Sequence, residues 1–142
     1  MEGKQSPQLR DIFRQMYADA IRLQSAKIGS EHFVLAVLAR PEANPGRAIL
    51  RSGTRTSSLK NALEDSVRGT ANHYDGDAIV ATDDAELAMK AAKHEADLLK
   101  SSEIDPNHVL LAILSDTDAP CTSILGSYNI TYDWAKRALF EA

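Results

Sequence analysis

Residues 28–38 read IGSEHFVLAVL, and residues 104–114 read IDPNHVLLAIL, an offset of 76 positions. In each copy a turn residue, Gly29 or Asp105, leads into a polar first turn that carries a histidine, His32 or His108. An unbroken apolar run follows in both. A helix that is apolar on every side belongs inside a protein and not on its surface. At about two turns it is also too short to persist alone, so tertiary packing must hold it. The repeated pattern is therefore the feature around which the chain is organised.

Working outward, residues 7–26 predict an amphipathic helix. Pro7 suits its first turn, and Leu9, Ile12, Phe13, Met16, Ala20 and Leu23 recur at helical spacing. The buried helix then runs from about Ser30 to Leu38. Pro41, Asn44 and Pro45 mark a loop. Ile49 and Leu50 belong to a short helix that Gly53 closes with a left-handed backbone. Thr56 is predicted to cap a fourth helix bearing Leu59, Leu63 and Val67, which Gly69 ends. After a polar link over 70–81 the programme restarts. Asp83 and Glu86 have capping-box spacing and open a helix predicted to pack through Leu87, Ala88, Ala92, Ala96 and Leu99. Ile49-Leu50 recurs as Ile124-Leu125 at an offset of 75, which implies one residue lost from the preceding loop. Thr131 becomes the second cap, and Trp134 falls on Leu59. The expectation is an all-α fold: one domain over 1–142, with about eight helices in two pseudo-symmetric four-helix repeats (about 7–69 and 82–142). The two buried helices should lie where the repeats meet.

Composition bounds the function. The chain is 44% hydrophobic and 25% charged with a formal net charge of −4, ordinary for a globular protein and without an overall footprint for nucleic acid. Charge is uneven: Arg40, Arg47, Arg51, Arg55 and Lys60 cluster, and Asp75, Asp77, Asp83, Asp84 and Glu86 make the middle acidic. Solvated helix faces are the favoured explanation. Cys121 is the only cysteine, which rules out an intrachain disulfide. It follows Pro120 in a first helical turn, a position that lowers a thiol pKa, but a small, partly buried residue is the favoured reading. Neither a membrane-length apolar run nor a signal-peptide core is present, and a cytoplasmic setting is expected.

Chemical motifs are few. His32 and His108 lack co-ligands at zinc-binding spacing. Both fall at the third helical position, where a side chain reaches back to the helix's first free amide, and a capping role is favoured over a metal. No nucleophile elbow frames a catalytic triad, and no phosphate-binding G-x-x-x-x-G-K-[ST] occurs. Enzyme activity and a cofactor in this domain are not expected. Tyr17, Tyr74, Tyr128, Tyr132 and Trp134 are the aromatic candidates for partner contacts.

Ile28-Gly29-Ser30-Glu31-His32 and, more loosely, Ile104-Asp105-Pro106-Asn107-His108, with the Leu-rich runs that follow them, resemble the Clp N-terminal repeat of ClpA- and ClpC-type AAA+ unfoldases. The resemblance covers nearly the whole chain. It implies a non-catalytic module that receives protein substrates or adaptor proteins for Clp ATPase and protease subunits, with ATP used only in an attached or partner AAA+ module. The alternative is a free-standing Clp-repeat protein that docks on a protease ring and stabilises it. Neither reading involves nucleic acid or a membrane. Some ClpC-type domains bind phosphorylated arginine at the acidic residue of the Glu-His step. The resemblance carries that role to Glu31, with Ser30 and His32 beside it, and in the second copy meets Asn107 and His108 instead. Asn107 lacks the charged planar acceptor that a guanidinium group favours, so any such recognition should be one-sided.

Overall fold

The computed structural model describes residues 4–69 and 80–140. These form eight helices: α1 (Pro7–Arg22), α2 (Ser30–Leu38), α3 (Gly46–Arg51), α4 (Thr56–Val67), α5 (Asp83–Leu98), α6 (Pro106–Ser115), α7 (Pro120–Gly126) and α8 (Tyr132–Phe140). The predicted link lies outside the described residues except for Val80 and Ala81. No single described helix is long and apolar enough to cross a membrane.

The apolar runs take the central positions. Phe33 to Val37 and Val109 to Leu114 are all buried. Within its own repeat α2 packs on α1 and α4, while α6 packs on α5 and α8. The two repeats meet through α2 against α6, α1 against α6, α2 against α5, and α4 against α7. Each buried helix is thus completed by the other half of the molecule, as its all-round apolarity requires.

Two backbone clips cross between the halves. The amide of Ser6 donates to the Ile104 carbonyl at 2.9 Å and the amide of Ile104 to Lys4 at 2.7 Å; Thr82 donates to Ile28 and Ile28 to Val80, both at 2.9 Å. The second clip repeats the first at an offset of 76. Ser6 and Thr82 also cap α1 and α5, accepting from the amides of Leu9 and Ala85. Thr82, not Asp83, is therefore the cap of α5. A hydroxyl already fixed by the clip reaches the free amide, and Asp83 becomes the first helical residue.

Four further sequence expectations shift. The first helix ends at Arg22, because Gln24 turns left-handed (φ 55°). Ser25 then donates to Ala20 and Gln24 to Ile21, a Schellman closure. Lys100 (φ 57°) repeats that closure after α5. The offset, moreover, stays at 76 to the end. Gly53 and Asn129 are the left-handed residues after α3 and α7, α4 and α8 begin at Thr56 and Tyr132, and Leu59 corresponds to Ala135, both fully buried. The equivalent of Ile49 is accordingly Leu125, and Trp134 is only partly buried. Thr131 does cap α8, accepting from the Trp134 amide, whereas Thr56 is already helical and Arg55 precedes it without a side-chain cap. Finally, Leu87 and Leu99 face solvent; α5 packs through its alanines.

With the offset kept, no residue is lost between α6 and α7; what differs is a close approach where α3 begins. A Cβ on Gly46 would stand 2.6 Å from the carbonyl oxygens of both Val37 and Arg40. At the equivalent place in repeat 2, Thr122 donates its hydroxyl to Ile113, the counterpart of Val37. Gly46→Ala should therefore cost about 1–3 kcal/mol, the usual penalty for forced overpacking, measured as a lowered urea midpoint at unchanged slope.

Candidate functional site

The structure separates the five residues singled out from the sequence. His32 and His108 are buried and make the caps expected of them. The Gly29 amide donates to His32 Nδ1 at 2.9 Å, and the Asp105 amide donates to His108 Nδ1 at 3.0 Å. His32 does more. Its Nε2 lies 2.9 Å from Ser25 Oγ, and that hydroxyl donates to the Val67 carbonyl at 2.9 Å. This pattern assigns a neutral imidazole protonated at Nε2. A chain of hydrogen bonds thereby ties the start of α2 to the turn after α1 and the end of α4. Both ring nitrogens of His32 are engaged, which leaves neither for a metal. In the second copy Ser101 bonds to Glu103 instead, and Phe140 lies against the His108 ring with centroids 5.6 Å apart.

Ser30 is buried and lines a groove; Glu31, the next residue, is not part of its lining but folds back over Gly29, which is. The groove has a volume of about 470 Å³ and runs between α1 (Phe13, Met16) and α5 (Ala85, Ala88, Met89) over a floor of Phe33, Val109 and Ile113. Glu86 and Lys90 supply its charged rim, and Ile28, Gly29, Ser30 and Ala81 close one end. The symmetry explains why it opens on one side. Leu9, Ile12 and Met16 of α1 correspond to Ala85, Ala88 and Ala92 of α5. Leu9 and Ile12 are buried in the core, whereas the methyl groups of Ala85 and Ala88 line the open groove; Met16 lines it from the α1 side, and Ala92 does not reach it. Phe13 and Met89, themselves equivalent, line the opening. The lining residues on α5 were not identified from sequence, although reading the two first helices in register shows the large-to-small exchange.

Glu31 is half-buried in an acidic corner. Its carboxylate folds back over Gly29, so that a Cβ there would stand 2.7 Å from Glu31 Oε1. Burial pushes the Glu31 pKa up, and Asp84 adds to the effect. Asp84 itself accepts from the Thr82 hydroxyl. The equivalents of Glu31 and Asp84 in the other half are Asn107 and Gln8. They line a separate cleft of about 230 Å³ with Asn44 and Asp105, where Asn107 Oδ1 is buried without a hydrogen-bond partner among the described residues. Two carboxylates on one side thus become two neutral amides on the other. Cys121 lies deep in the core, and burial raises its thiol pKa well above the ordinary value, the reverse of an activated thiolate. Of the aromatic candidates Tyr17 is exposed, Tyr128, Tyr132 and Trp134 are partly buried against the core, and Tyr74 is outside the described residues.

Residues 4–128 match the Clp repeat (R) N-terminal domain family. The chain belongs to this family. Chaperone protein ClpB of Oceanobacillus iheyensis is 19% identical over 141 residues, which cover 99% of this chain; the chain spans 17% of that relative's length. Among solved structures, the Hsp104 N-terminal domain from Candida albicans superposes with a TM-score of 0.79 at 15% identity, covering 95% of this chain and 88% of that one. A complex of the ClpV N-domain with VipB peptide gives 0.76 at 16% identity, covering 96% and 86%. At these identities the superpositions show the shared all-α fold.

The buried histidine gives this Clp N-domain a pH dependence of defined sign. Burial lowers the His32 pKa, outweighing the opposite pull of Asp19. Below about 6.5, the ordinary histidine value, the unfolded chain therefore holds more protons than the folded one. His32 stabilises fully above that pH, and its contribution is lost as pH falls toward the depressed folded-state value. Protonation would also set an Nδ1–H against the Gly29 amide. In urea titrations from pH 8 to pH 5, His32→Gln, which can still reach the Gly29 amide, should show a shallower loss of stability than the parent.

Proposed function

We propose that this chain is the recognition domain of a ClpA/ClpC-type unfoldase–protease system, binding a segment of a protein substrate or adaptor in the groove between its repeats. The observation that carries this reading is the groove itself: about 470 Å³, apolar along its walls, and framed by rigid helices. Apolar side chains of a bound segment would gain burial there at little ordering cost to the domain. Family membership supports the reading, as does the VipB peptide carried by a ClpV N-domain of the same fold. The groove offers binding surface and no reaction, and ATP turnover belongs to an attached or partner AAA+ module.

Ser30 and Glu31 form the polar lip. Glu31 is positioned to meet a cationic group at the end of the groove, phosphoarginine included, and Asn107 makes the equivalent corner of the other repeat unsuited to one. His32 and His108 act by holding the two lips in shape. Desolvation beside Asp84 makes the Glu31 carboxylate costly when the corner is empty, a cost that a bound cation would offset.

Fluorescence anisotropy with a labelled unfolded protein separates groove from lip. Ala85→Leu restores at position 85 the side chain found at Leu9 and should fill the groove, abolishing binding while the fold is kept. Glu31→Gln should leave apolar binding intact and weaken only cationic ligands; calorimetry with phosphoarginine at millimolar concentration that shows no heat would remove that ligand. The raised Glu31 pKa means that its favourable contribution is present below about 4.3 and lost as pH rises through the folded-state value. Glu31→Gln should consequently be at least as stable as the parent at pH 7. Retention of this chain by proteolytic subunits lacking any ATPase, with no binding in the groove, would replace this reading with that of an accessory protein on the protease ring.

A further inference from the structure

The two repeats share a backbone plan but carry opposite charge. Residues 4–69 contain eleven Lys and Arg against six Asp and Glu, and residues 80–140 contain five against ten, formal charges of +5 and −5. Part of the excess on the first repeat lies close together in sequence, on α3 and at the start of α4. Arg47, Leu50 and Arg51 stand three and four residues apart, hence on one face of α3. All are exposed, Leu50 at 52%. Arg55 and Lys60 follow in sequence, and Arg51, Arg55 and Lys60 make no ion pair among the described residues. In the second repeat the equivalents of Arg47, Leu50 and Arg51 are Ser123, Gly126 and Ser127.

A complementary face lies on the other half. Leu87 and Leu98 of α5 are 60% and 64% exposed. Eleven residues apart, they fall on one side of the helix roughly 16 Å from each other. Asp83 lies one turn before Leu87, Glu95 and Asp97 flank Leu98, and the exposed stripe turns away from the groove. Lys90 rims the groove three residues after Leu87, and Lys93 precedes Asp97 by four, so both lysines border the stripe, which also carries His94; Asp83, Glu95 and Asp97 outnumber them there. The molecule therefore presents leucine among arginines at one place and leucines among carboxylates at another.

We propose that this chain associates head to tail with a second copy of itself, the Arg47–Leu50–Arg51 face of α3 in one copy meeting the Leu87–Leu98 face of α5 in the next. Opposite potentials steer the encounter and fix its orientation, and the exposed leucines supply apolar area at the centre of the contact. The two faces differ, so each contact leaves one of each unused, and further copies add to a ring or an open chain. The groove lies on neither face and stays accessible in the assembly.

Sedimentation velocity across a concentration series tests this at low ionic strength and at about 1 M salt, where screening shortens to about 3 Å. The expected result is a weight-average mass that climbs past twice the 15.5 kDa of one chain at low salt and returns to it at high salt. Arg51→Glu and Asp97→Lys should each weaken association at least tenfold. An equimolar mixture of the two variants should recover the association of the parent, because the reversed α3 face of one matches the reversed α5 face of the other and the unaltered faces still match each other. Circular dichroism identical to the parent establishes that the variants fold. A monomer at every concentration at low salt would overturn the proposal, as would association indifferent to both reversals. A parent that stays monomeric yet is retained by an immobilised polyanion would overturn it too, and would assign the basic face to an acidic partner instead.

Discussion

Two short helices that are apolar on every side set the terms for the whole molecule. A helix such as α2 cannot rest on one neighbour, because whichever face is left uncovered exposes several large side chains to water. Within its own repeat, α1 and α4 cover only part of it. The rest is covered by α6 and α5, and the same holds for α6 by symmetry. Neither repeat is complete without the other. The clips at Ile28 and Ile104 belong to the same solution: each gives the backbone ahead of a buried helix a hydrogen-bonded partner from the opposite half, where the amides would otherwise be unpaired. Caps, clips and core thus converge on the same few residues at the entrance of each buried helix.

Duplication supplies the scaffold, and divergence between the copies supplies the surface. The positions that stay equivalent bear structure: Ser6 and Thr82, Gln24 and Lys100, His32 and His108, Leu59 and Ala135. The positions that differ bear whatever the domain does. Large residues on α1 against alanines on α5 open one groove instead of two. Carboxylates at 31 and 84 against amides at 107 and 8 give one charged lip. Arginines on α3 against serines on α7 divide the charge. None of these exchanges disturbs the packing of α2 on α6, which is why the scaffold tolerates them.

Much of this was legible in the sequence, for identifiable reasons. An unbroken apolar run after a polar turn has few physical interpretations, so α2 was placed at Ser30–Leu38, the bounds observed, and the histidine caps followed from their third-position spacing. The end of α1 was misplaced because its closure uses Gln24 and not glycine. A non-glycine residue in the left-handed region carries a penalty that local pattern gives no reason to accept, and only the Schellman bonds from Ser25 and Gln24 offset it. The register slip to 75 had a similar source. Ile-Leu matches Ile-Leu in letters, but burial pairs Ile49 with Leu125 and leaves Leu50 in solvent. The groove is not legible in the sequence because it is made of absences, Ala85 and Ala88 where the other copy has Leu9 and Ile12. An alanine-rich helix face normally signals close packing, and the sequence does not display which neighbour fails to approach.

The histidine pair shows how structure and recognition are coupled at the lip. His32 anchors the Gly29 amide, and Gly29 and Ser30 form the end wall of the groove. Gly29 also leaves room for the Glu31 carboxylate to fold back beside Asp84. A side chain at position 29 would push that carboxylate outward into water, lowering its cost and with it the gain from pairing with a cation. In the second copy Asp105 takes the place of Gly29 and caps α6 with its own carboxylate, accepting from the Asn107 amide at 2.8 Å. There the side chain before the helix serves the helix. In the first copy the cap is left to the histidine and the backbone, which frees the neighbouring carboxylate for a ligand. The asymmetry of the two turns is therefore the physical basis on which recognition is proposed for the first.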